Sequence, residues 1–304
     1  MSHLGQQLPL GAYSSRQEAL DAIARFQLAS VSKQFTAAAV LLLVADGAAS
    51  LEEPVGRWID RCPASWHSIT IRHLLTHTAG LPHWDDLPEI PLAGPMDAGT
   101  ELSIFQRAPL RREPGRSWYY SSPGYVLLAH IVQRAAGCPY AQFLAERLFE
   151  PLGLSSTFAG NGAGEDRVAT GHESGEPVAS AELDVVGMGA GDVWSTAEDV
   201  LRWDAALEEA SFLSVDALRM MFAMQTPVDA SSVPHSFPVQ GYGFGWFVGR
   251  VFDRRAAFHG GQNAGFRALN LVLPDDQLRL VVLSNEETTD VDQVAIELLR
   301  PLLG

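Results

Sequence analysis

Ser30 and Lys33 are three residues apart at the start of an alanine- and leucine-rich segment. A serine hydroxyl becomes an effective nucleophile when a neighbouring base removes its proton. Because residues three apart share one face of a helix, the two side chains can touch. The positive end of the helix dipole also favours an alkoxide and disfavours a protonated lysine. The spacing therefore indicates nucleophilic catalysis, although a capping serine beside a surface lysine would give the same four-residue pattern.

Lys33 is the only lysine in a chain that contains 20 arginines. An arginine remains protonated in proteins, whereas a desolvated lysine can lose its proton and act as a base. The composition thus favours a chemical role for Lys33. Chance survival of one lysine in an arginine-biased sequence is the alternative.

The aromatic segment 118–125, WYYSSPGY, precedes an apolar pattern of helical period. Side chains in a loop before a helix can point into a cleft, and a tyrosine near a lysine can relay protons. An aromatic cluster that covers the core is the other interpretation. Trp84, Trp118 and Trp194 could line a pocket, but core packing is the favoured role for each.

A histidine followed by two glycines, His259, Gly260 and Gly261, lies on or at the end of a predicted strand. Glycines at this place let a substrate lie against the strand edge. The backbone N–H of Gln262 could then form an oxyanion hole together with that of Ser30. A simple turn after the strand would explain the glycines equally well.

Three histidines, His73, His77 and His83, occur close together, and the first two have a four-residue spacing that can bind zinc. The glutamate of an H-E-x-x-H arrangement is absent, so a structural role is favoured and no metal is expected. The sequence also has no G-x-S-x-G segment, which argues against an α/β-hydrolase. No Walker-type phosphate loop occurs, and no cofactor is expected.

The length and charge of the chain limit its domain organisation and its partners. The chain has 304 residues, of which 47% are hydrophobic and 19% are charged. This length allows one large domain or two interleaved lobes with a sizeable core. The net charge is −15 and there is no basic stretch, whereas a nucleic-acid binder needs a basic face. A nucleic-acid partner is therefore excluded.

The sequence gives no sign of a membrane or an oxidising compartment. The longest apolar run, 37–45, is too short to span a bilayer. The N-terminal segment MSHLGQQLPL has no signal-peptide pattern. Two cysteines, Cys62 and Cys138, do not make a disulfide framework. We therefore expect a cytoplasmic protein without membrane contact.

Helical patterns dominate up to about residue 240, where short runs rich in aromatic and β-branched residues begin. Thr70 can cap one helix, and Ser195 to Glu198 fits a capping box for another. A proline-rich loop is expected over 81–114. The predicted helices cover 30–47, 71–80, 123–137, 141–149, a segment after 195, and 291–304. The pattern thus predicts a core helix, a mostly helical middle, and a C-terminal antiparallel sheet covered by the last helix.

Six segments carry these motifs in order: FQLASVSKQFTAAAVLLLVADG, ITIRHLLTHTAGLP, PGRSWYYSSPGYVLLAHIV, GAGDVWSTAEDVLRW, YGFGWFVG and FHGGQNAGF. Together they resemble the β-lactamase and penicillin-binding-protein superfamily of active-site serine enzymes. The likeness is greatest to the branch that holds D,D-carboxypeptidases, D-aminopeptidases, family VIII esterases and related acyltransferases. It runs from about residue 26 to the C-terminus.

The resemblance implies that Ser30 is the acylated nucleophile and that Lys33 accepts its proton. Tyr120 would match the tyrosine of the family's Tyr-x-Asn element and act as a proton shuttle or base. Ser122 stands where the family usually has asparagine. Because a hydroxyl is shorter than a carboxamide, its contacts to Lys33 and to a substrate amide are expected to be lost or bridged by water.

The glycine-containing segment would match the family's third motif, which is Lys-Thr-Gly in many β-lactamases and His-x-Gly in this branch. By this resemblance His259, Gly260 and Gly261 bind substrate. The N–H groups of Ser30 and Gln262 form the oxyanion hole. An imidazole is mostly uncharged near pH 7, so we expect weaker β-lactamase activity than that of a Lys-Thr-Gly enzyme.

The implied fold is α+β and β-lactamase/transpeptidase-like, with an antiparallel sheet flanked by helices and a mostly helical lobe. Residues 1–60 and 236–304 would form the sheet lobe, 61–235 the helical lobe, and the site would lie between them. The family normally has a helix and two strands before the nucleophile. Only 29 residues precede Ser30, so at most one strand is expected, around 8–15. Either the sheet is short of strands or the sequence begins at a late start.

Three classes of function follow from the resemblance. The first is a serine hydrolase or acyltransferase that acts on small-molecule esters, amides or β-lactams. The second is a non-catalytic binder that retains the fold. The third is a peptidoglycan-directed peptidase, which requires export and is disfavoured by the missing signal peptide. The sequence leaves the oligomeric state open.

Overall fold

The computed structural model describes residues 12–13, 19–20, 24–91, 96–179 and 187–303. Within these ranges the α-helices are α1 Lys33–Ala45, α2 Ile71–Leu75, α3 Ala98–Arg107, α4 Ser122–Ala136, α5 Tyr140–Leu144, α6 Ala197–Glu208, α7 Val215–Phe222 and α8 Val291–Leu303. Helices precede and follow a set of antiparallel strands, and the fold class is α+β, as the sequence predicts.

The longer strands lie in the C-terminal third of the chain. They are β1 Ala12–Tyr13, β2 Ala19–Leu20, β3 Phe26–Gln27, β4 Phe158–Ala159, β5 His172–Glu173, β6 Glu176–Pro177, β7 Val193–Ser195, β8 Thr226–Pro227, β9 Val239–Tyr242, β10 Phe247–Val251, β11 Arg254–Asn263, β12 Phe266–Leu273 and β13 Leu278–Ser284. The main sheet has the order β13-β12-β11-β10-β9-β8 and is antiparallel throughout. A smaller sheet has the order β3-β7-β4.

The main sheet is buried on both faces. Alternate residues of a strand point to opposite faces of the sheet, and each face packs against a different core. On β12, Ala268 belongs to the larger core that includes the helices, whereas Leu269 belongs to a second core with α8. Val291, Ala295 and Leu299 of α8 are four residues apart and pack as one stripe on that second face. The predicted covering helix is therefore confirmed.

The core helix begins later than the sequence predicts. Residues 29–32 form a 3-10 turn, and the α-helix starts at Lys33 and ends at Ala45 instead of spanning 30–47. Leu42 and all earlier residues of α1 are buried, so the helix is enclosed on every side. The tighter turn at its start carries Ser30.

The helix capped by Thr70 forms as expected but is shorter than predicted. The Thr70 hydroxyl accepts a hydrogen bond from the N–H of His73, and His73 Nδ1 accepts one from the N–H of Thr70. The helix ends at Leu75 rather than near Gly80. His77, with φ at 55°, has a left-handed conformation that a helix cannot contain.

Two further predictions about helices are wrong. The loop expected over 81–114 contains α3, because Asp97 caps it at the N–H of Thr100 and Phe105 is fully buried. Ser195 does not cap α6, because it is the last residue of β7; Thr196 accepts the capping hydrogen bond instead.

The remaining helical predictions are close to the structure. Ser121 caps α4, and Gly137 ends it with φ at 72°. The helix predicted over 141–149 is α5 followed by a π-helical turn, Ala145–Phe149.

Three short strands, β1, β2 and β3, precede the nucleophile where at most one was expected. β1 and β2 pair with each other, Ala12 opposite Leu20 and Tyr13 opposite Ala19; the rest of the predicted strand 8–15 lies outside the described residues. The lobe boundaries at 60/61 and 235/236 stay a prediction. Among the described helices, none is long and apolar enough to cross a membrane.

Candidate active site

Ser30 lies in the 3-10 turn that joins β3 to α1. Ala29, directly before it, has φ at 48°, a left-handed conformation that is rare for a residue with a Cβ atom. The turn is held by β7: Leu28 N–H donates to the carbonyl of Val193 at 2.8 Å, and Val193 N–H donates to Ser32 Oγ at 3.0 Å. The sharp turn presents the half-buried Ser30 at the end of α1.

Lys33 is fully buried and its amine faces the nucleophile. Lys33 Nζ lies 3.0 Å from Ser30 Oγ, 3.2 Å from Ser122 Oγ and 2.7 Å from the carbonyl oxygen of Ala190. Desolvation holds the pKa of Lys33 well below its usual value, and the nearby carboxylate of Asp192 acts in the opposite direction. A buried lysine with a lowered pKa loses its proton more readily, and the neutral amine can accept the proton of Ser30. The predicted contact between Lys33 and Ser30 is confirmed.

Ser122 reaches Lys33 directly, and the expectation that this contact would be lost or bridged by water is wrong. Ser122 is the first residue of α4, and its N–H donates to His83 Nδ1 at 3.2 Å. This places its hydroxyl at 3.2 Å from Lys33 Nζ despite the short side chain. A helix start that lies close to Lys33 thus compensates for the missing length of an asparagine.

Tyr120 lies over the same pair. Lys33 Nζ is 5.1 Å from the centre of its ring. Burial raises the pKa of Tyr120 far above its usual value, and the hydroxyls of Ser30 and Ser122 beside it lower the pKa by less. The phenol is therefore protonated near pH 7, which suits a proton relay and does not suit a free base.

Two of the clustered histidines support this wall of the site. His77 Nδ1 accepts a hydrogen bond from the N–H of Ser121 at 3.2 Å, as His83 Nδ1 does from Ser122. The His77 ring packs 4.4 Å from that of Tyr120, centre to centre. Burial lowers the pKa of His83 to about 4 and that of His77 well below its usual value, so both rings are neutral. Their contacts are the structural role that the sequence favours.

Gly261 lets β11 approach the turn that carries Ser30. A Cβ atom built on Gly261 would lie 2.2 Å from the carbonyl oxygen of Leu28 and 3.1 Å from Ala29 Cβ. On the other face of the strand, a Cβ on Gly260 would meet only a side-chain atom, Cε1 of His235, at 2.8 Å. A glycine is thus required at 261 for backbone packing.

The edge of β11 is open beside Ser30. The two-residue turn between β11 and β12 makes Asn263 and Phe266 a hydrogen-bonded pair. Because hydrogen-bonded and non-bonded pairs alternate, the backbone N–H of Gln262 points away from β12. On that side the pairing with β10 ends at Phe247, opposite Phe258. The Gln262 amide therefore faces the cleft, where the predicted oxyanion hole needs it.

His259 is less available to a substrate than the sequence predicts. Its side chain is almost completely buried. Nε2 lies 3.0 Å from the hydroxyl of Tyr242, and Nδ1 lies 2.6 Å from the carbonyl oxygen of Gly260. Burial lowers the pKa of His259 well below its usual value, so the ring is neutral. Both ring nitrogens are engaged within the protein, and a substrate carboxylate would have to displace one of these contacts.

A cleft of about 1090 Å³ contains the site. Ser30, Tyr120, Ser122 and the segment from His259 to Gln262 all line it. Trp84 and Trp118 line it as well, whereas Trp194 is fully buried in a separate core. In the described part of the chain, no group of three His, Cys, Asp or Glu side chains is placed to hold a metal ion.

Residues 9–303 match the protein-family model described as Beta-lactamase. The chain belongs to this family. A penicillin-binding protein of Bacillus subtilis is 30% identical over 91% of this chain and 64% of its own length. Esterase EstB of Burkholderia gladioli is 37% identical over 50% of this chain and 42% of its own length. The chain thus spans less than two thirds of these relatives.

A solved structure shows the same fold. The D-amino acid amidase from Ochrobactrum anthropi SV3, complexed with L-phenylalanine, has a TM-score of 0.85 and 25% sequence identity. The alignment covers 98% of this chain and 90% of the amidase chain. The β-lactamase-like fold that the sequence predicts is therefore confirmed.

Sequence reasoning missed one buried group, Asp192. Its side chain is almost completely buried and accepts a hydrogen bond from the N–H of Gly189 at 2.9 Å. Burial raises the pKa of Asp192 to about 7, and the charge of Lys33 acts in the opposite direction. An aspartate inside the glycine-rich segment GAGDVWST was the available signal, since glycines mark close backbone approach.

Proposed function

We propose that this protein is a serine hydrolase that acts on small esters or amides through an acyl-enzyme at Ser30. The observation that supports this proposal most directly is the 3.0 Å contact between Ser30 Oγ and the buried amine of Lys33. Family membership supports the proposal, because the relatives include a named esterase and a structural neighbour named as an amidase.

In the acylation step, Ser30 Oγ bonds to the substrate carbonyl carbon and its proton passes to Lys33 Nζ. The carbonyl oxygen becomes an oxyanion, which the N–H groups of Ser30 and Gln262 stabilise. The carbon–oxygen or carbon–nitrogen bond to the leaving group then breaks. The leaving group takes a proton from Lys33, directly or through the phenol of Tyr120.

Deacylation reverses the proton movements. A water molecule gives a proton to Lys33 while its oxygen bonds to the acyl carbon. The bond from that carbon to the Ser30 oxygen then breaks, and Lys33 returns the proton to Ser30. An alcohol or amine that enters in place of water would give acyl transfer. The cleft is open to solvent at Ser30, which favours hydrolysis as the first assignment.

The test is intact-mass spectrometry after exposure to a fluorophosphonate and, separately, to a penicillin. We expect one covalent addition per chain with the fluorophosphonate. It should be absent in Ser30→Ala and retained in Ser103→Ala, because the hydroxyl of Ser103 on α3 donates to the carbonyl of Gly99. A folded wild-type protein that gives no adduct with any acylating probe would identify a non-catalytic binder.

A further inference from the structure

The amine of Lys33 has one fixed contact and two adaptable ones. The hydroxyls of Ser30 and Ser122 can donate or accept a hydrogen bond, whereas the carbonyl of Ala190 can only accept. One N–H of Lys33 therefore points at Ala190, 2.7 Å away, in both protonation states. The position of this carbonyl decides where the rest of the amine faces.

The turn that presents Ala190 is held on both sides of Gly189. The Gly189 carbonyl accepts a hydrogen bond from Thr36 Oγ1 at 2.6 Å, and its N–H donates to Asp192 Oδ1 at 2.9 Å. Gly189 has φ at 73°, and a Cβ there would lie 2.6 Å from that of Ala129. Asp192 is thus one of the two side chains that bind Gly189 in a tightly packed turn.

When it is ionised, Asp192 also supplies a negative charge that raises the pKa of Lys33 inside the protein. A buried carboxylate is stable only when a cation or hydrogen-bond donors compensate it. Lys33 on α1 and the hydroxyl-bearing Tyr140 on α5 are the titratable groups that interact with it. The other titratable neighbours of Lys33 include His77, whose pKa is lowered, and Tyr120, which stays protonated.

We propose that Asp192 is a positioning residue for the Ser30–Lys33 pair, which it serves in two ways. It holds the Ala190 carbonyl against Lys33, and its negative charge offsets the ammonium that forms when Lys33 takes the Ser30 proton. The inference rests on the proposed acyl-enzyme mechanism. In that step the Ser30 O–H bond breaks, the Lys33 N–H bond forms, and Lys33 gains one positive charge while Asp192 touches no reacting atom.

The single lysine of this chain allows a direct measurement. Protein labelled with ¹³C-lysine should give one lysine side-chain signal, and its chemical shift against pH reports the protonation of Lys33. Asp192→Asn keeps an oxygen that can accept from Gly189 but removes the charge. Asp204→Asn is the matched control, since Asp204 is an equally buried carboxyl that contacts Asn270.

We expect the midpoint of Lys33 to move to lower pH in Asp192→Asn and to stay at the wild-type value in Asp204→Asn. With p-nitrophenyl acetate, kcat/KM of Asp192→Asn should fall roughly tenfold, about 1.4 kcal/mol in the barrier. The kcat/KM of Asp192→Ala should fall further, because this variant also lacks the oxygen that accepts a hydrogen bond from the Gly189 N–H. Asp192→Glu restores the charge and should return the midpoint toward the wild-type value, which a purely structural role would not do.

Two results separate this inference from the proposed function. A wild-type midpoint and rate in folded Asp192→Asn would overturn the role of Asp192, whether or not Ser30 is acylated. If Asp192→Asn does not fold, Asp192→Glu and Asp192→Ala decide: a Lys33 midpoint in Asp192→Glu as low as that in Asp192→Ala would equally overturn the role of Asp192. The wild type could give no fluorophosphonate adduct while Asp192→Asn still lowers the titration midpoint of Lys33. This result would overturn the proposed hydrolase function and would support the effect of the Asp192 charge on Lys33.

Discussion

The hydroxyl of Ser122 accepts a hydrogen bond directly from Lys33 Nζ at 3.2 Å. Both groups are buried, and Ser122 is fixed at the start of α4 by its neighbour Ser121, which caps that helix. The amine is therefore held between the nucleophile on one element and a second serine on another.

Removing this hydroxyl should impair chemistry while leaving the fold intact. In Ser122→Ala we expect the acylation rate to fall roughly tenfold, because Lys33 loses one of its three contacts. The matched variant is Ser121→Ala, which removes the α4 cap and should cost about 1 kcal/mol of unfolding free energy. Stopped-flow release of p-nitrophenol and thermal melting distinguish the two. Equal losses of activity and stability in both variants would contradict the separate roles.

Replacing Lys33 with arginine tests the base by placing at this position a cation that does not release its proton. An arginine stays protonated, so Lys33→Arg should lower the acylation rate by about 10²–10⁴-fold, the usual contribution of a general base. The side chain is also longer, so the folded state is checked by circular dichroism. Lys33→Met, which is uncharged and of similar length, should lose as much activity if the proton transfer matters. A Lys33→Arg protein with near-wild-type burst kinetics would remove Lys33 from the mechanism.

Gly261 and Gly260 are adjacent but should respond differently to alanine. Gly261→Ala forces a Cβ against the Leu28 carbonyl, so we expect a loss of about 1–3 kcal/mol in unfolding free energy, together with lower activity. Gly260→Ala meets the ring of His235 and no backbone atom, so it should cost less. Urea denaturation of both variants gives the comparison. A smaller loss for Gly261→Ala than for Gly260→Ala would show that β11 does not depend on this approach.

The neutral, internally bonded His259 predicts a preference for esters over β-lactams. A substrate carboxylate finds no charge on this ring and would have to break its contact with Tyr242 or Gly260. We expect kcat/KM for nitrocefin to be lower than that for short p-nitrophenyl esters. A higher kcat/KM for nitrocefin than for the esters would contradict this prediction. His259→Lys places a cation at this position. In this variant we expect the kcat/KM for nitrocefin to come closer to that for the esters.

Local patterns predicted the elements whose signals lie within a few residues. Thr70, Gly137 and the runs that form β11, β12 and β13 were identified correctly, because caps and alternating burial depend on neighbouring residues. The strand-like run 242–249 instead contains the turn between β9 and β10. Helix α3 was missed because its Asp97 cap lies just after a stretch rich in prolines.

The candidate site was predictable only in part. The Ser30–Lys33 contact follows from helical spacing, and the resemblance supplied Tyr120 and the β11 segment. The Asp192–Lys33 relationship joins residues far apart in the chain, through a turn whose shape no short motif reveals. The hydrogen bond at His259 Nε2 likewise depends on a distant residue, Tyr242 at the end of β9.

Stability should fall as pH rises through the range in which buried Asp204 ionises. Asp204 Oδ1 accepts a hydrogen bond from Asn270 at 2.8 Å, while Oδ2 has no partner among the described residues. Burial raises the pKa of Asp204 to about 8 in the folded protein, against about 3.9 for an unfolded aspartate. Between about pH 4 and pH 8 the folded state holds a proton that the unfolded state releases. The Asp204 contribution to stability is therefore fully present below about pH 4 and is lost as pH approaches 8.

Asp204→Asn removes this titration and keeps an oxygen for Asn270. We expect its unfolding free energy to exceed that of the wild type at pH 8 and the difference to shrink or reverse by pH 5. Other buried groups, such as Asp192 and the neutral histidines, titrate in both proteins, so they cancel in the difference. Urea unfolding at pH 5, 6.5 and 8 measures it. A difference that does not change with pH would mean that Asp204 has the same protonation state in the folded and unfolded chains.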